Sequence, residues 1–213
     1  GSAWVKEGYL HEPEAATNRV TYSNDFTDSS WRIDAVTMTA ANSVGPDGLT
    51  SMTKMEITDT TNTYKLIDPA ASFTTGVNYS TSYYVKYGNQ RYVGIRFLGQ
   101  DLQYIHATYD LVSKVVTQTE VGSNSGTLLS ATIEDVGNDI LRLSISGSVG
   151  TNPFPFQSLM FHSSGTPTLE ASADEKITGT AGDHIWVYGA QFEAGPVPTS
   201  YIATAGSTVT RAA

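Results

Sequence analysis

The sequence predicts an all-β protein that folds as a two-sheet antiparallel β-sandwich of the jelly-roll type. Thr, Ser, Gly and Val are abundant and helix formers are scarce, and Thr and Tyr favour a pleated, half-buried surface. No long apolar pattern with helical spacing is present. Roughly a dozen short strand-like runs instead alternate with turn residues, a pattern typical of sandwiches and barrels.

The first half of the chain supplies five predicted strands. A turn-rich stretch precedes them and is expected to anchor Phe26 and Trp31 in the core. Pro46, Asp47 and Gly48 provide the turn between the first two strands. The predicted strands lie in the runs WRIDAVTMTA, TSMTKMEITD, YSTSYYVKYG, QRYVGIRFLG and LQYIHATYDL.

The second half supplies the remaining strands. Gly137 and Asn138 mark the turn of a hairpin, and the strand at residues 184–189 is apolar on both faces. Alternation cannot orient such a strand, and the pattern suits a central strand whose second face is covered or carries a ligand. The strands lie in the runs KVVTQTEVG, TLLSATIEDVGNDILRLSISG, QSLMFHSS and DHIWVYGAQFE.

The strand pattern indicates a single domain at residues 12–203, because no linker and no internal repeat interrupts it. Residues 1–11 are expected to combine a cloning remnant with a leading segment. Residues 204–213 are expected to form an exit segment toward a missing downstream part, so that the chain is one piece of a longer, modular protein.

Charge and composition exclude several classes of partner. The net charge is −9 and the isoelectric point is about 4.7, whereas a protein that binds nucleic acid phosphates needs a basic face. The absence of Cys excludes disulfides and thiolate metal sites. No apolar run approaches the roughly 18 residues of a membrane helix, so we expect no membrane insertion.

Period-two alternation sorts the side chains of the strands into inward and outward sets. Inward positions are apolar, as at Val93, Ile95 and Phe97. If the strands are neighbours, the outward positions of five of them place aromatic rings, cations and imidazoles on one sheet face. This outward set comprises Tyr84, Lys86, Tyr92, Arg96, Tyr104, His106, Arg142 and His162.

A face of this composition suits a polysaccharide ligand. A sugar ring stacks its C–H face on an aromatic plane, and Arg, Lys or His orient its hydroxyls or, in an acidic glycan, bind its carboxylates. The same residue types also occur on solvated sheet faces and at subunit interfaces. A structural or oligomerisation module, for instance a homo-trimer, is therefore the alternative. In the glycan-binding hypothesis the groove is lined by Tyr84, Tyr92, Arg96, Tyr104 and His106.

A second alternative is a polysaccharide lyase that uses three residues of this set. In β-elimination on a uronate polymer such as alginate, Arg96 would neutralise the carboxylate, His106 would take the proton and Tyr104 would protonate the leaving oxygen. The runs YIHATY and YYVKYGNQ resemble strand motifs of jelly-roll alginate lyases. Tyr104 stands where that family has Gln, and the family's Arg-x-Glu-x-Arg strand has no counterpart in the sequence.

Other chemistry has weaker support in the sequence. Glycoside hydrolysis requires two facing carboxylates, and Glu170, Asp174 and Glu175 are expected in a solvated polar loop. No nucleophile-elbow, phosphate-loop or His-Glu-x-x-His motif occurs, and the four His are not at metal-ligand spacing. No cofactor is expected. A structural Ca²⁺ at residues 24–28 or 134–139 is an alternative to solvated turn carboxylates.

Motifs along most of the chain resemble those of a family of bacteriophage and prophage proteins. They are EPEAATNRVTYSNDFTDSSW, GPDG, YYVKYG, TYDLVSKVV, IEDVGNDILRLSISG and VYGAQFEAGPVPTSYIATAGSTVTRAA. The family comprises tail fibre, tail spike and virion-associated proteins with a lectin-like jelly-roll domain, similar to concanavalin or to carbohydrate-binding modules. The resemblance implies a non-catalytic module that binds a polysaccharide or cell-surface glycan, in a virion or an extracellular protein.

The most specific motif positions lie near the two ends of this resemblance. We interpret most of them as fold-determining, with Gln191 and Glu193 satisfying backbone groups and with Tyr201 and Ile202 docking onto the sheet. Arg19 replaces the family's usual apolar residue, and residues 138–140 lack its usual aromatic. The positions are Thr17, Asn18, Tyr22, Ser23, Asn24, Gly189, Ala190, Gln191, Glu193, Thr199, Ser200, Tyr201, Ile202, Thr210, Arg211 and Ala212.

Overall fold

Fourteen β-strands make up the regular structure of the described part of the chain, which contains no helix that could span a membrane. The computed structural model describes residues 15–69, 74, 76–99, 103–122, 126–149, 156–170 and 173–212. The strands are β1 Ala16–Asn18, β2 Trp31–Asp34, β3 Val36–Val44, β4 Thr50–Ile57, β5 Leu66–Pro69, β6 Tyr79–Tyr87, β7 Tyr92–Leu98, β8 Tyr104–Asp110, β9 Val115–Val121, β10 Thr127–Gly137, β11 Ile140–Ser148, β12 Phe156–His162, β13 His184–Ala194 and β14 Val209–Arg211.

Twelve of these strands form two antiparallel sheets, which confirms the predicted β-sandwich. Sheet I has the order β10-β11-β6-β13-β4-β3, and sheet II has the order β2-β5-β12-β7-β8-β9. β1 and β14 pair with each other outside both sheets. The inward side chains of the two large sheets share one hydrophobic core, to which both sheets contribute fully buried aromatic and aliphatic residues.

The predicted alternation of inward and outward residues is confirmed on both sheets. Tyr83 and Val85 of β6 are fully buried in the common core, as are Val93 and Ile95 of β7. The strand at residues 184–189, predicted to be central, belongs to β13 and lies between β6 and β4. Inward apolar residues at every second position therefore account for the core of both sheets.

The sequence prediction missed β1, β5 and β14, and it is wrong about one of the runs that it identified. The run at residues 31–40 was expected to be continuous, but it divides into β2, which pairs with β5 in sheet II, and β3, which pairs with β4 in sheet I. Ala35 separates them with a φ of 55°, in the left-handed region that disrupts an extended strand. The crossing between sheets is therefore made by a single residue whose identity does not signal a turn.

A buried asparagine ties the N-terminal strand to the C-terminal part of the chain. Asn18 is 0% exposed, and its Nδ2 donates hydrogen bonds to the carbonyls of Ala190 (3.0 Å) and Ile202 (2.8 Å). Its Oδ1 accepts from the backbone amides of Val20 and Phe192, both at 3.1 Å. All four hydrogen-bonding positions of this amide are thus filled by backbone groups from three separate segments.

Two further polar residues complete this connection, which we call the terminal clasp (Asn18, Gln191 and Glu193 with residues 199–202). Gln191 Nε2 donates to Glu193 Oε1 (2.7 Å), and Gln191 Oε1 accepts from the amide of Ile202 (2.7 Å). Glu193 in turn accepts from the backbone amide of Thr199 (2.7 Å). Gln191 and Glu193 thus satisfy backbone groups, as expected, and they hold residues 199–202 against β13.

Residues 204–212 lie against the first described strand, beyond the predicted domain boundary at residue 203, and the exit toward a downstream part stays a prediction. β14 pairs with β1, and Ala205 forms a bridge with Tyr22. Arg211 Nη1 also donates to the carbonyl of Ser200 at 3.1 Å. These backbone pairings extend the ordered domain beyond residue 203. Residues 1–11 lie outside the described residues.

Replacement of Asn18 by Ala is expected to destabilise the fold by about 3 kcal/mol or more, because it leaves four buried backbone groups without partners. Urea unfolding followed by fluorescence measures this change. The matched control is Asn62→Ala at an exposed position, which should change the free energy of unfolding by less than about 0.5 kcal/mol. Equal stability of the two variants would contradict the role of the terminal clasp.

Candidate functional site

The predicted outward set does not form one face, because its strands belong to different sheets. β6 and β11 are neighbours in sheet I, whereas β12, β7 and β8 are neighbours in sheet II. The chain crosses from one sheet to the other between β6 and β7. The expectation of one continuous face is therefore wrong. Tyr84, Lys86 and Arg142 lie on the outer face of sheet I, and Tyr92, Arg96, Tyr104, His106 and His162 lie on the outer face of sheet II.

The outer face of sheet II is covered by the segment that follows β12, residues 163–178, of which 171 and 172 lie outside the described residues. Arg96 is 2% exposed, and its Nη1 donates to Asp174 Oδ2 at 2.7 Å while its Nε donates to Ser158 Oγ at 2.9 Å. Asp174 is 4% exposed. The expectation of a solvated loop is wrong for Asp174, because a buried guanidinium requires a buried counter-ion.

A chain of hydrogen bonds joins the covering segment to the two buried histidines. Glu175 Oε2 lies 3.1 Å from His162 Nδ1, and His162 Nε2 lies 3.0 Å from His106 Nε2. Since Glu175 accepts from Nδ1–H, His162 Nε2 is an acceptor and His106 Nε2–H is the donor. Gly94 permits this approach, because a Cβ there would lie 2.2 Å from His162 Nε2.

Burial controls the ionisation of these groups. Desolvation lowers the pKa of His106 well below its ordinary value, and the neighbouring His162 and Arg96 add to this effect. Desolvation also lowers the pKa of His162, although the hydrogen bond with Glu175 opposes it. Both imidazoles are therefore neutral at neutral pH.

The three residues of the lyase alternative lie in this covered region. Burial, with the hydrogen bond that its hydroxyl donates to Glu120, raises the pKa of Tyr104 to about 12. His106 is 0% exposed, and Arg96 is engaged by Asp174. The geometry of these described residues leaves no open position in which a polymer could contact all three, so it gives the lyase alternative no support.

The outer face of sheet I carries an open cleft of about 230 Å³ that we call the tyrosine cleft (Tyr84, Tyr188 and Tyr201 with Pro46 and Asp47). The ring centroids of Tyr84 and Tyr188 are 6.1 Å apart, and that of Tyr201 lies 6.2 Å from Tyr84 and 5.5 Å from Tyr188. Each ring comes from a different strand or segment. Tyr201 reaches the sheet because the terminal clasp holds its neighbours, which confirms that residues 201 and 202 dock there.

Polar and aromatic side chains surround the tyrosine cleft. The guanidinium of Arg142 lies 5.6 Å from the ring centroid of Tyr84, and its Nη2 donates to Ser82 Oγ and to the carbonyl of Thr199. Lys86 lies two residues from Tyr84 on the same face of β6, and it pairs across the ladder with Trp186. Stacking surfaces and fixed donors are therefore adjacent on this face.

Alternation along the strands predicts only part of this site. It identifies Tyr84, Lys86 and Arg142, whereas Tyr188, Tyr201, Trp186, Pro46 and Asp47 were not assigned to the outward set. The signal for the tyrosine and tryptophan was the strand at residues 184–189, whose second apolar face was predicted to be covered or ligand-bearing. The sequence indicated only that Asp47 lies in a turn.

No protein-family model matches the chain, and no curated protein matches it significantly in sequence. Function therefore has to be inferred from the chemistry of the two outer faces. The face of sheet II is occupied by the protein's own residues, whereas the face of sheet I carries an open cleft with partly exposed aromatic and cationic groups around it.

A second cleft, of about 540 Å³, lies beside the covering segment at the end of sheet II and includes Tyr92. Its charged side chains are already paired within the protein. Arg91 pairs with Asp110, Lys176 pairs with Glu170, and Glu175 bonds to His162. Both cations of this cleft thus already have carboxylate partners within the protein.

The candidate Ca²⁺ positions contain carboxylates that bond within their own turns. Asp28 Oδ1 accepts from the amide of Ser30 at 2.8 Å, and Asp25 accepts from Thr27. Asp135 accepts from the amide of Gly137 and pairs with Lys114. In the described part of the chain, no three or more His, Cys, Asp or Glu side chains are grouped so that they could hold a metal ion.

Acid is expected to destabilise the fold before most carboxylates titrate. Because the pKa values of His106 and His162 lie below 6.5 in the folded state, the unfolded chain binds more protons below pH 6.5. The stabilisation contributed by the two neutral imidazoles is therefore fully present above this pH and is lost as the pH decreases. Urea unfolding should show a decrease of about 1–2 kcal/mol between pH 7 and pH 5.

The double variant His106→Gln with His162→Gln is the control for this pH dependence. Its free energy of unfolding should depend much less on pH in the same interval, whatever its absolute stability. A wild-type protein that is equally stable at pH 7 and pH 5 would show that the two histidines do not titrate as their burial requires.

Proposed function

We propose that the chain is a non-catalytic carbohydrate-binding module that binds a glycan in the tyrosine cleft. The observation that carries this proposal is the meeting of three tyrosine rings within 5.5–6.2 Å of one another in an open cleft on the outer face of sheet I. Sugar rings present C–H faces that pack on such aromatic surfaces, and their hydroxyls take hydrogen bonds from the rim.

The rim supplies groups suited to sugar hydroxyls. Asp47 is an acceptor at one side of the cleft; burial alone would raise its pKa, but hydrogen bonds from Ser51 and the amide of Leu49 outweigh this and keep the pKa below its ordinary value. Trp186 is half-buried, with its Nε1 bonded to Asn42 Oδ1 at 3.0 Å. A cleft below the 300–1,000 Å³ range that is typical of drug-sized ligands suits one sugar ring at a time.

We further propose that this module belongs to a phage tail or virion-associated protein and recognises a host-surface or extracellular glycan. Support for this part comes from the sequence resemblance. The motif residues that carry the resemblance include those of the terminal clasp, which brings Tyr201 into the tyrosine cleft. A fold-determining motif and an open aromatic face are compatible with a module whose scaffold is shared and whose ligand varies.

An oligomerisation module is the second candidate, supported by apolar side chains on neighbouring edge strands. β9 ends sheet II and β10 ends sheet I. Val121 of β9 is 43% exposed and Leu129 of β10 is 47% exposed. Such edges are suited to association with another chain. Light scattering coupled to size exclusion distinguishes a monomer from a trimer that buries this edge.

Tyr84→Ala and Trp186→Ala are each expected to weaken glycan binding about fivefold or more, the scale of a lost aromatic contact. A glycan microarray identifies the ligand, and affinity electrophoresis in a gel containing it measures the change. Tyr92→Ala, on the outer face of sheet II, is the matched control and should leave binding unchanged.

Circular dichroism and thermal unfolding of each variant separate lost binding from lost structure. Weakening by Tyr92→Ala with no effect of Tyr84→Ala would place the ligand on sheet II instead. Absence of binding to every glycan on the array, together with a stable trimer, would favour the oligomerisation module.

A further inference from the structure

We propose that the tyrosine cleft selects an acidic glycan and that Lys86 and Arg142 together bind the carboxylate of a uronic acid residue. This inference rests on the proposed glycan-binding function and specifies the class of sugar. It depends on the distribution of charge over the outer face of sheet I.

Lys86 and Arg142 differ from six of the eleven cations in the described part of the chain, because neither forms an ion pair. In the described residues, no carboxylate lies within 4.0 Å of either side chain. Arg142 bonds instead to a hydroxyl and a carbonyl, which are neutral. The cations that do pair with a carboxylate are Arg32, Lys54, Arg91, Arg96, Lys114 and Lys176.

This difference matters because the chain carries a net charge of −9. With 21 acidic against 12 basic side chains, a carboxylate partner is readily available to most exposed cations. Two neighbouring cations without one, beside an open aromatic cleft, create a local positive field on an acidic protein. An anionic group of a ligand would supply the counter-ion that these two cations lack within the protein.

The register of the strands places the two cations within reach of one carboxylate. Arg142 is directly opposite Tyr84, and Lys86 is directly opposite Ile140 on the same pair of strands. Lys86 and Arg142 are thus diagonal neighbours, with backbones about 7–8 Å apart. The guanidinium of Arg142 lies over the ring of Tyr84 and donates to Ser82 on one side of it, and Lys86 lies on the other side, so a carboxylate above Tyr84 would lie between the two cations.

The opposite side of the cleft disfavours a carboxylate and so fixes the orientation of the sugar. Asp47 lies beyond Tyr188, and its pKa is lowered, so that it is ionised at neutral pH. It would repel a carboxylate and accept hydrogen bonds from hydroxyls. A uronic acid ring that packs on Tyr84 would therefore direct its carboxylate toward Lys86 and Arg142.

Glu134 carries a negative charge that should weaken the binding of an acidic glycan, so its removal should increase the affinity. It is exposed on β10 directly opposite Arg142, without forming an ion pair in the structure. It is thus the acidic side chain closest in register to the proposed carboxylate position. Glu134→Gln should strengthen binding of an acidic glycan about two- to threefold, because a like charge is removed from a partly screened surface.

The experiment compares acidic polymers with their uncharged counterparts. Polygalacturonate, alginate and hyaluronan, each in native and carboxyl-reduced form, are placed in affinity gels, and dextran sulfate tests whether a sulfate would serve as well. We expect retention by at least one native polymer, a loss of about tenfold after carboxyl reduction, and weaker retention at higher salt.

Two charge variants connect this selectivity to the proposed residues. Lys86→Met should weaken binding of the native polymer about five- to tenfold and leave binding of the reduced polymer unchanged, and Arg142→Met should do the same if it folds. Lys176→Met, at an exposed cation that pairs with Glu170 in the segment covering sheet II, is the matched control.

The outcomes separate this inference from the function on which it rests. Equal binding of native and reduced polymers, insensitivity to Lys86→Met, or retention by dextran sulfate but by no uronate polymer would overturn the uronate assignment. If Tyr84→Ala still weakens binding in those cases, the tyrosine cleft remains a glycan site for a different sugar. No retention by any polymer, charged or reduced, would overturn the inference and count against the proposed function as well.

Discussion

The four hydrogen bonds of Asn18 are the constraint on which the functional face depends. They connect β1, β13 and the segment that carries Tyr201, and they do so with a side chain that is completely buried. Because an unsatisfied buried amide is costly, the segment cannot move away from the sheet without a large loss of stability. The third ring of the tyrosine cleft is therefore positioned by the same interactions that close the domain.

The two outer faces illustrate how one pattern of residues leads to opposite results. On sheet II, outward Arg and His side chains are paired internally, since Asp174 and Glu175 descend from the covering segment onto Arg96 and His162. On sheet I, Lys86 and Arg142 form no ion pair and lie beside the partly buried rings of the tyrosine cleft. A buried charge needs its partner within the protein, whereas a charge at an open cleft is free to take its partner from a ligand.

Alternation along each strand was enough to predict the core and the outward positions, because side-chain direction follows from local geometry. It could not predict which strands are neighbours, since the chain changes sheets at Ala35 and again between β6 and β7. Nor could it predict that Arg96 is covered, because Asp174 is separated from it by 78 residues. The site on sheet I was therefore predicted only in part. Tyr84, Lys86 and Arg142 were identified, whereas the second apolar face of β13 was predicted to be covered or to carry a ligand without its residues being assigned to the site.

The central claim, that sheet I and not sheet II receives the glycan, is tested most directly by the indole N–H signals of Trp186 and Trp31 in ¹⁵N-labelled protein. Trp186 lies beside Lys86 on the outer face of sheet I, while Trp31 is buried in the core with its Nε1 bonded to the carbonyl of Tyr22. During titration with the glycan that the array ranks first, the Trp186 signal should shift progressively and the Trp31 signal should not. An unchanged Trp186 signal at saturation, with shifts at backbone amides of β7 and β8, would contradict the account.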